Sequence, residues 1–129
     1  MTDGLTRAGL ALVGLVYTAV AVPGFVDPIG LMAAVDLPVS GASAMNELRA
    51  NYGGLMGALA VASFAGAAVA SYRRPALWLA WLCFVGLVSG RVVSLVLDGV
   101  PNSFALSLLG AESFGVVAST ALLWVGRER

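Results

Sequence analysis

Gly90-Arg91-Val92-Val93-Ser94-Leu95-Val96-Leu97-Asp98-Gly99 closes a long apolar run with charges that such a run should exclude. On a helix, Arg91, Ser94 and Asp98 stand at i, i+3 and i+7, so the three share one face. The run itself, Ala76 to Leu97, has the length of a membrane-crossing helix, for which about 20 residues cover the hydrocarbon core. A second stretch, Asn46-Glu47-Leu48-Arg49-Ala50-Asn51-Tyr52-Gly53-Gly54, is equally polar and opens another apolar run. The two stretches are expected to meet in space, and their meeting point is the candidate site.

Composition supports the membrane reading. Of 129 residues, 60% are hydrophobic and 11% charged, against roughly 25% charged in an ordinary soluble domain. The mean hydropathy is +0.94. Such a chain lacks the polar surface to stay dissolved in water. Net charge is zero and every basic residue is Arg, so a nucleic-acid partner has no electrostatic support. Cys83 is the lone cysteine and there is no His, which removes intrachain disulfides and the usual zinc signatures. No metal site and no cofactor is indicated.

Four spans follow from the chain taken in order, at about 5–24, 46–71, 76–97 and 104–125, in one transmembrane domain covering 1–129. The first run ends at Pro23-Gly24; its rival reading is a signal peptide, with Arg7, an apolar stretch and Ala19-Val20-Ala21 as the cleavage pattern. Phe25 to Ala42 is broken by prolines, and Ile29 to Leu37 within it predicts a short helix at the interface. Ser43 is a candidate N-cap for the second span, with Glu47 in its first turn, and Tyr72-Arg73-Arg74-Pro75 is expected to end that span. Gly53, Gly54 and Gly57 in the second span, Gly86 and Gly90 in the third, and Gly115 in the fourth allow close helix packing. Asp98-Gly99-Val100-Pro101-Asn102 is a tight turn by composition.

Over four spans, Arg7, Arg73, Arg74, Arg127 and Arg129 all fall on one side, with Trp78 and Trp124. The positive-inside rule then places both termini in the cytoplasm. The expected fold is an all-α integral membrane four-helix bundle, N-in and C-in, with a short interfacial helix between the first two spans.

This topology brings the start of the second span, the end of the third and the start of the fourth to the outer face. Arg91 lies about 10 Å deeper than Asp98, and Glu112 about 12 Å deeper than Phe104, at 1.5 Å per residue. The two are therefore level. A charge near the bilayer centre costs roughly 2.5 to 3.5 kcal/mol on insertion scales, so Arg91 should turn inward to Glu112 or Glu47. Asp98 and Arg49 lie nearer the surface, Asn51 follows Glu47 by one turn, and Tyr52 carries a hydroxyl that needs a partner if buried. The cluster of Glu47, Arg49, Asn51, Tyr52, Arg91, Ser94, Asp98 and Glu112 has two readings: an ion pair and caps that fix helix register, or a polar pocket for a ligand.

The paired stretches Asn46–Gly54 and Gly90–Pro101 resemble the signature of a bacterial family of small four-helix membrane proteins, domain of unknown function 4345. The resemblance covers nearly the whole chain and implies that Glu47, Arg49, Tyr52, Gly53, Gly54, Arg91, Ser94, Asp98 and Gly99 match the family pattern. It brings no activity. A looser likeness to DoxX-type membrane proteins rests on architecture alone.

The leading expectation is a bacterial inner-membrane protein that binds a small lipophilic or anionic ligand, or a membrane partner, at this cluster. An intramembrane acid–base enzyme acting on a lipid (isomerase, cyclase or hydrolase) is the alternative, with Glu47 or Asp98 as acid or base and Arg91 setting its pKa. A third class is an oligomeric transporter, with the small-residue stripes of the second and fourth spans as contact faces. The lipid bilayer, a lipophilic ligand, and a homo-oligomer or larger membrane complex are the partners these readings call for.

Overall fold

Pro23 does not end the first helix: α1 (Thr2–Val26) runs through it. In the last turn, a proline's missing N–H and its clash with the preceding turn disturb little of the helix that follows. The computed structural model describes residues 2–125, so Arg127, Glu128 and Arg129 lie outside the described residues. Asp27 stops α1 and caps the next helix, α2 (Pro28–Ala33), its Oδ1 accepting from the Gly30 N–H at 3.0 Å. Pro28 takes the first helical position, where its lost donor costs nothing. The short helix expected over Ile29–Leu37 is thus earlier and shorter, and it packs on α1 with Pro28 and Met32 buried.

The second long helix is continuous but not uniform. It comprises α3 (Ala42–Leu48), a π-helical segment Arg49–Leu55, and α4 (Met56–Ala68). Its N-cap position is Gly41, at φ +85°, and no side chain caps it. Ser43 therefore lies inside the helix and Glu47 beyond the first turn, which corrects the capping expected there. The far end also differs from expectation. The helix stops at Ala68, Val69 is extended (φ −113°, ψ 124°), and α5 (Ala70–Leu97) takes in Tyr72-Arg73-Arg74-Pro75. Two arginines make this early stop possible. Arg7 Nε donates to the Ala67 carbonyl at 3.1 Å and Arg73 Nε to the Gly66 carbonyl at 3.3 Å, satisfying acceptors that a helix C-terminus leaves open. Arg73 also pairs with Asp3.

Asn102 starts the last helix, α6 (Ser103–Val125), its Oδ1 accepting from the Ala105 N–H at 2.9 Å. The Asn102 amide reaches back to the Asp36 carboxylate at 2.7 Å and the Ala34 carbonyl at 3.2 Å. Asp36 itself sits at φ +57°.

The fold is all-helical over the described residues. Helices α1, α5 and α6 are each long and apolar enough to cross a membrane. α1 lies chiefly against α4 and the π segment, α4 also against α5, and α5 against α6. Two small clusters form the interior: Leu10, Ala76, Leu77 and Leu123 towards the Arg7 end, and Tyr17, Leu59 and Ala60 further along. Much of the remaining apolar surface is turned outward, as at Leu12, Val26, Val96, Leu97 and Val117. Water does not tolerate an apolar exterior of that extent; lipid does. The chain is a helical membrane protein.

Candidate functional site

Arg91 and Glu112 form the centre of the site. The Arg91 Nε lies 2.5 Å from Glu112 Oε2 and its Nη2 2.8 Å from Glu112 Oε1, a fork-to-fork pair between α5 and α6. This is the strong, directional form of the interaction. Glu112 is 9% exposed, so its charge has left solvent and is held by the guanidinium. Of the two partners expected for Arg91, the structure gives Glu112 and not Glu47.

Ser94, one turn after Arg91, donates to Asp98 Oδ2 at 2.9 Å. Beside these residues α5 and α6 part to leave a cavity of about 180 Å³, lined by Gly90, Arg91, Ser94, Leu95, Pro101, Ala105, Leu106 and Leu109. Ser94, Pro101 and Leu106 are exposed, so the cavity is open on its outer side. Its lining is apolar apart from Arg91 and Ser94. Among the described residues, the Arg91 Nη1 has no hydrogen-bond partner.

The first polar stretch serves another purpose. Arg49 Nε donates to the Phe25 carbonyl at 3.2 Å, capping the end of α1. Asn51 donates to the Glu47 carbonyl at 2.9 Å and to Glu47 Oε2 at 3.3 Å. Tyr52 is half-buried, and its backbone is where α1 comes closest. A Cβ on Gly24 would meet the Tyr52 carbonyl, with the Gly53 nitrogen 2.7 Å away, and a Cβ on Gly53 would meet the Phe25 ring at 2.7 Å. The two polar stretches occupy the same end of the bundle and come together at Tyr52, which lies within electrostatic reach of Arg91, though they exchange no hydrogen bond or ion pair. The first ties itself to α1, and the second finds its counter-charge on α6.

The glycines divide in the same way. A Cβ on Gly115 would meet the Phe84 ring at 2.8 Å, while one on Gly57 would make only ordinary contacts at 3.9 Å with Ala21 and Phe25. A Cβ on Gly54 would meet nothing nearer than the carbonyl of Arg49 in its own helix, at 3.8 Å, and one on Gly86 or Gly90 would face open space. Gly86 and Gly90 are therefore not contact points within the chain; for Gly90 the reason is the cavity it lines.

Several residues of consequence carry little signal in the sequence. Tyr17 is 4% exposed, its hydroxyl is buried beside Cys83, and its ring stacks with Phe84 at 6.4 Å. Asn102 ties the start of α6 to the turn that follows α2. Gly24 marks a close approach to the backbone at Tyr52, whereas Gly66, which lies against Ala76, is where the small-residue spacing with Ala62 signals close packing. For Asn102 a usable signal existed, since Asn followed by Ser and an apolar run is an N-cap pattern.

A family profile described as "Domain of unknown function (DUF4345)" matches residues 5–124. The chain belongs to the DUF4345 family. No curated protein and no solved structure matches it. The DUF4345 match spans all four long helical stretches and both polar motifs, so Arg91, Glu112 and the cavity beside them lie within the family's domain.

Proposed function

We propose that this protein crosses the bacterial cytoplasmic membrane four times, with both termini in the cytoplasm, and binds a small lipophilic ligand in the cavity between α5 and α6. The crossing by residues 42–68 is supported by their unbroken helical course antiparallel to α1 and α5. The sidedness is supported by Arg7, Arg73 and Arg74 at one end. One observation carries the binding reading. Arg91 spends one edge of its guanidinium on Glu112, keeps Nη1 unbonded, and lines a cavity whose other walls are largely apolar. A pair serving only to fix register would pack its surroundings closed, whereas an apolar recess with a fixed polar donor is how small-molecule sites are built.

The acid–base alternative draws less support. Glu112, the most buried carboxylate near the cavity, is held at both oxygens by Arg91, and Glu47 is engaged with Asn51. The oligomeric transporter also draws less, because Phe84 already fills the small-residue surface at Gly115 within the chain.

The test is to extract the protein in mild detergent and identify copurifying lipophiles by native mass spectrometry. The wild type is expected to retain a discrete ligand that Leu106→Trp, which fills the cavity, loses. Identical lipid profiles for the two proteins would overturn the reading.

A further inference from the structure

We infer that the ligand's head is electrically neutral, about one ring in size, and bears a carbonyl-type acceptor for Arg91; a free phosphate or carboxylate is excluded. This inference rests on the binding reading above and specifies its chemistry.

Charge balance comes first. Arg91 would be the natural anchor for an anion, but its charge is already matched by Glu112 at 2.5 and 2.8 Å. The next ionised group along the same face is Asp98, which holds the Ser94 hydroxyl and so adds negative charge at the cavity's edge. An anion entering would bring a charge that nothing there compensates, in surroundings where screening is weak and burial of an unpaired charge is costly. A neutral acceptor meets no such penalty. It needs one donor, and Nη1 supplies one.

Donor supply limits the site to a single residue. Phosphate groups are recognised by several converging donors. Here the Ser94 proton is committed to Asp98, and Arg91 spends its Nε proton and one Nη2 proton on Glu112, which leaves the Nη1–Nη2 edge of one guanidinium as the whole recognition surface, so discrimination against a carboxylate rests on charge balance. Size supplies the remaining limit. The cavity measures about 180 Å³, and an apolar protein cavity of about 150 Å³ holds one benzene. A single ring with a polar substituent fills the space, and a hydrocarbon tail leaves through the side open past Leu106.

The experiment uses the full chain in lipid nanodiscs and three matched probes: 4′-decylacetophenone, 4-decylbenzoate and decylbenzene. The first two differ by a methyl group against an oxygen anion, and the third has no acceptor. The ketone is expected to bind at least tenfold more tightly than either of the others, and Leu106→Trp to abolish its binding. Asp98→Asn should narrow the gap between ketone and benzoate by relieving the repulsion. Benzoate binding as tightly as the ketone, with Leu106→Trp still blocking both, would overturn the ligand class and leave the cavity as a binding site. Ketone and decylbenzene binding equally would overturn the part given to Arg91. Binding of all three probes indifferent to Leu106→Trp would overturn the site itself.

Discussion

At the residue scale the decisive fact is that Arg91 and Glu112 neutralise each other away from solvent. Removing one partner of such a pair leaves an uncompensated buried charge, whereas replacing both with apolar residues removes the desolvation cost as well. Arg91→Ala is therefore expected to destabilise the protein by about 3 kcal/mol. The double replacement Arg91→Met with Glu112→Leu should return stability to within about 1 kcal/mol of the parent. Thermal unfolding in detergent over the full double-mutant cycle measures this; additive single effects would show that the two side chains are not coupled. The pair is legible in the sequence from depth alone: two charges on neighbouring helices at the same level have few other partners. Arg49 is not legible in this way. A guanidinium near a helix end can serve a ligand or a carbonyl equally well, and which one it serves depends on where the end of α1 lies, a fact of tertiary placement.

At the scale of elements, the helices are set by how closely their backbones approach, and small residues decide that approach only where a neighbour is present. A Cβ on Gly24 or Gly66 would collide with the opposing helix, while one on Gly86 or Gly90 would meet nothing within 4 Å. Gly24→Ala and Gly66→Ala are each expected to cost about 2 kcal/mol through overpacking. Gly86→Ala should be neutral or gain up to about 1 kcal/mol from helix propensity. Chemical or thermal denaturation in a common detergent ranks the three variants, and equal effects would contradict the packing described. Small-xxx-small spacing in the sequence signals where approach is possible, so it flagged Gly53 and Gly115 along with Gly86 and Gly90 and could not separate them. Helix limits were legible to within a turn where apolar runs start or stop. They failed at Pro23 and at Tyr72–Pro75, because the cost of a proline depends on where in a helix it stands: Pro23 has little helix after it and Pro75 little before it. The early stop at Val69 rests on arginines that lie far from it in sequence or one turn beyond it. The π-helical turn at Arg49–Leu55 was not legible at all, since its widened course accompanies the tight contact with Gly24.

For the whole molecule, membrane residence was legible from composition alone, because a chain with this little charge has no other stable environment. Both the crossing by residues 42–68 and the sidedness are open to direct measurement. In a Cys83→Ser background, Ser40→Cys is expected to react with a membrane-impermeant maleimide added to the periplasmic side of intact spheroplasts. Ser71→Cys should react only in inverted vesicles. Labelling of both positions from one side would remove the crossing between them and with it the four-span arrangement.

The joint at Val69 governs how the molecule can move. With one extended residue between α4 and α5, and Arg7 and Arg73 stapled across the carbonyls released there, these two helices have no slack with which to slide past each other. The link from α5 to α6 is longer, Asp98 to Asn102, and it contains a glycine at φ +93°. Room for the cavity to change width therefore lies at the α5–α6 link and not at Val69, within the limit set by the Asn102–Asp36 contact.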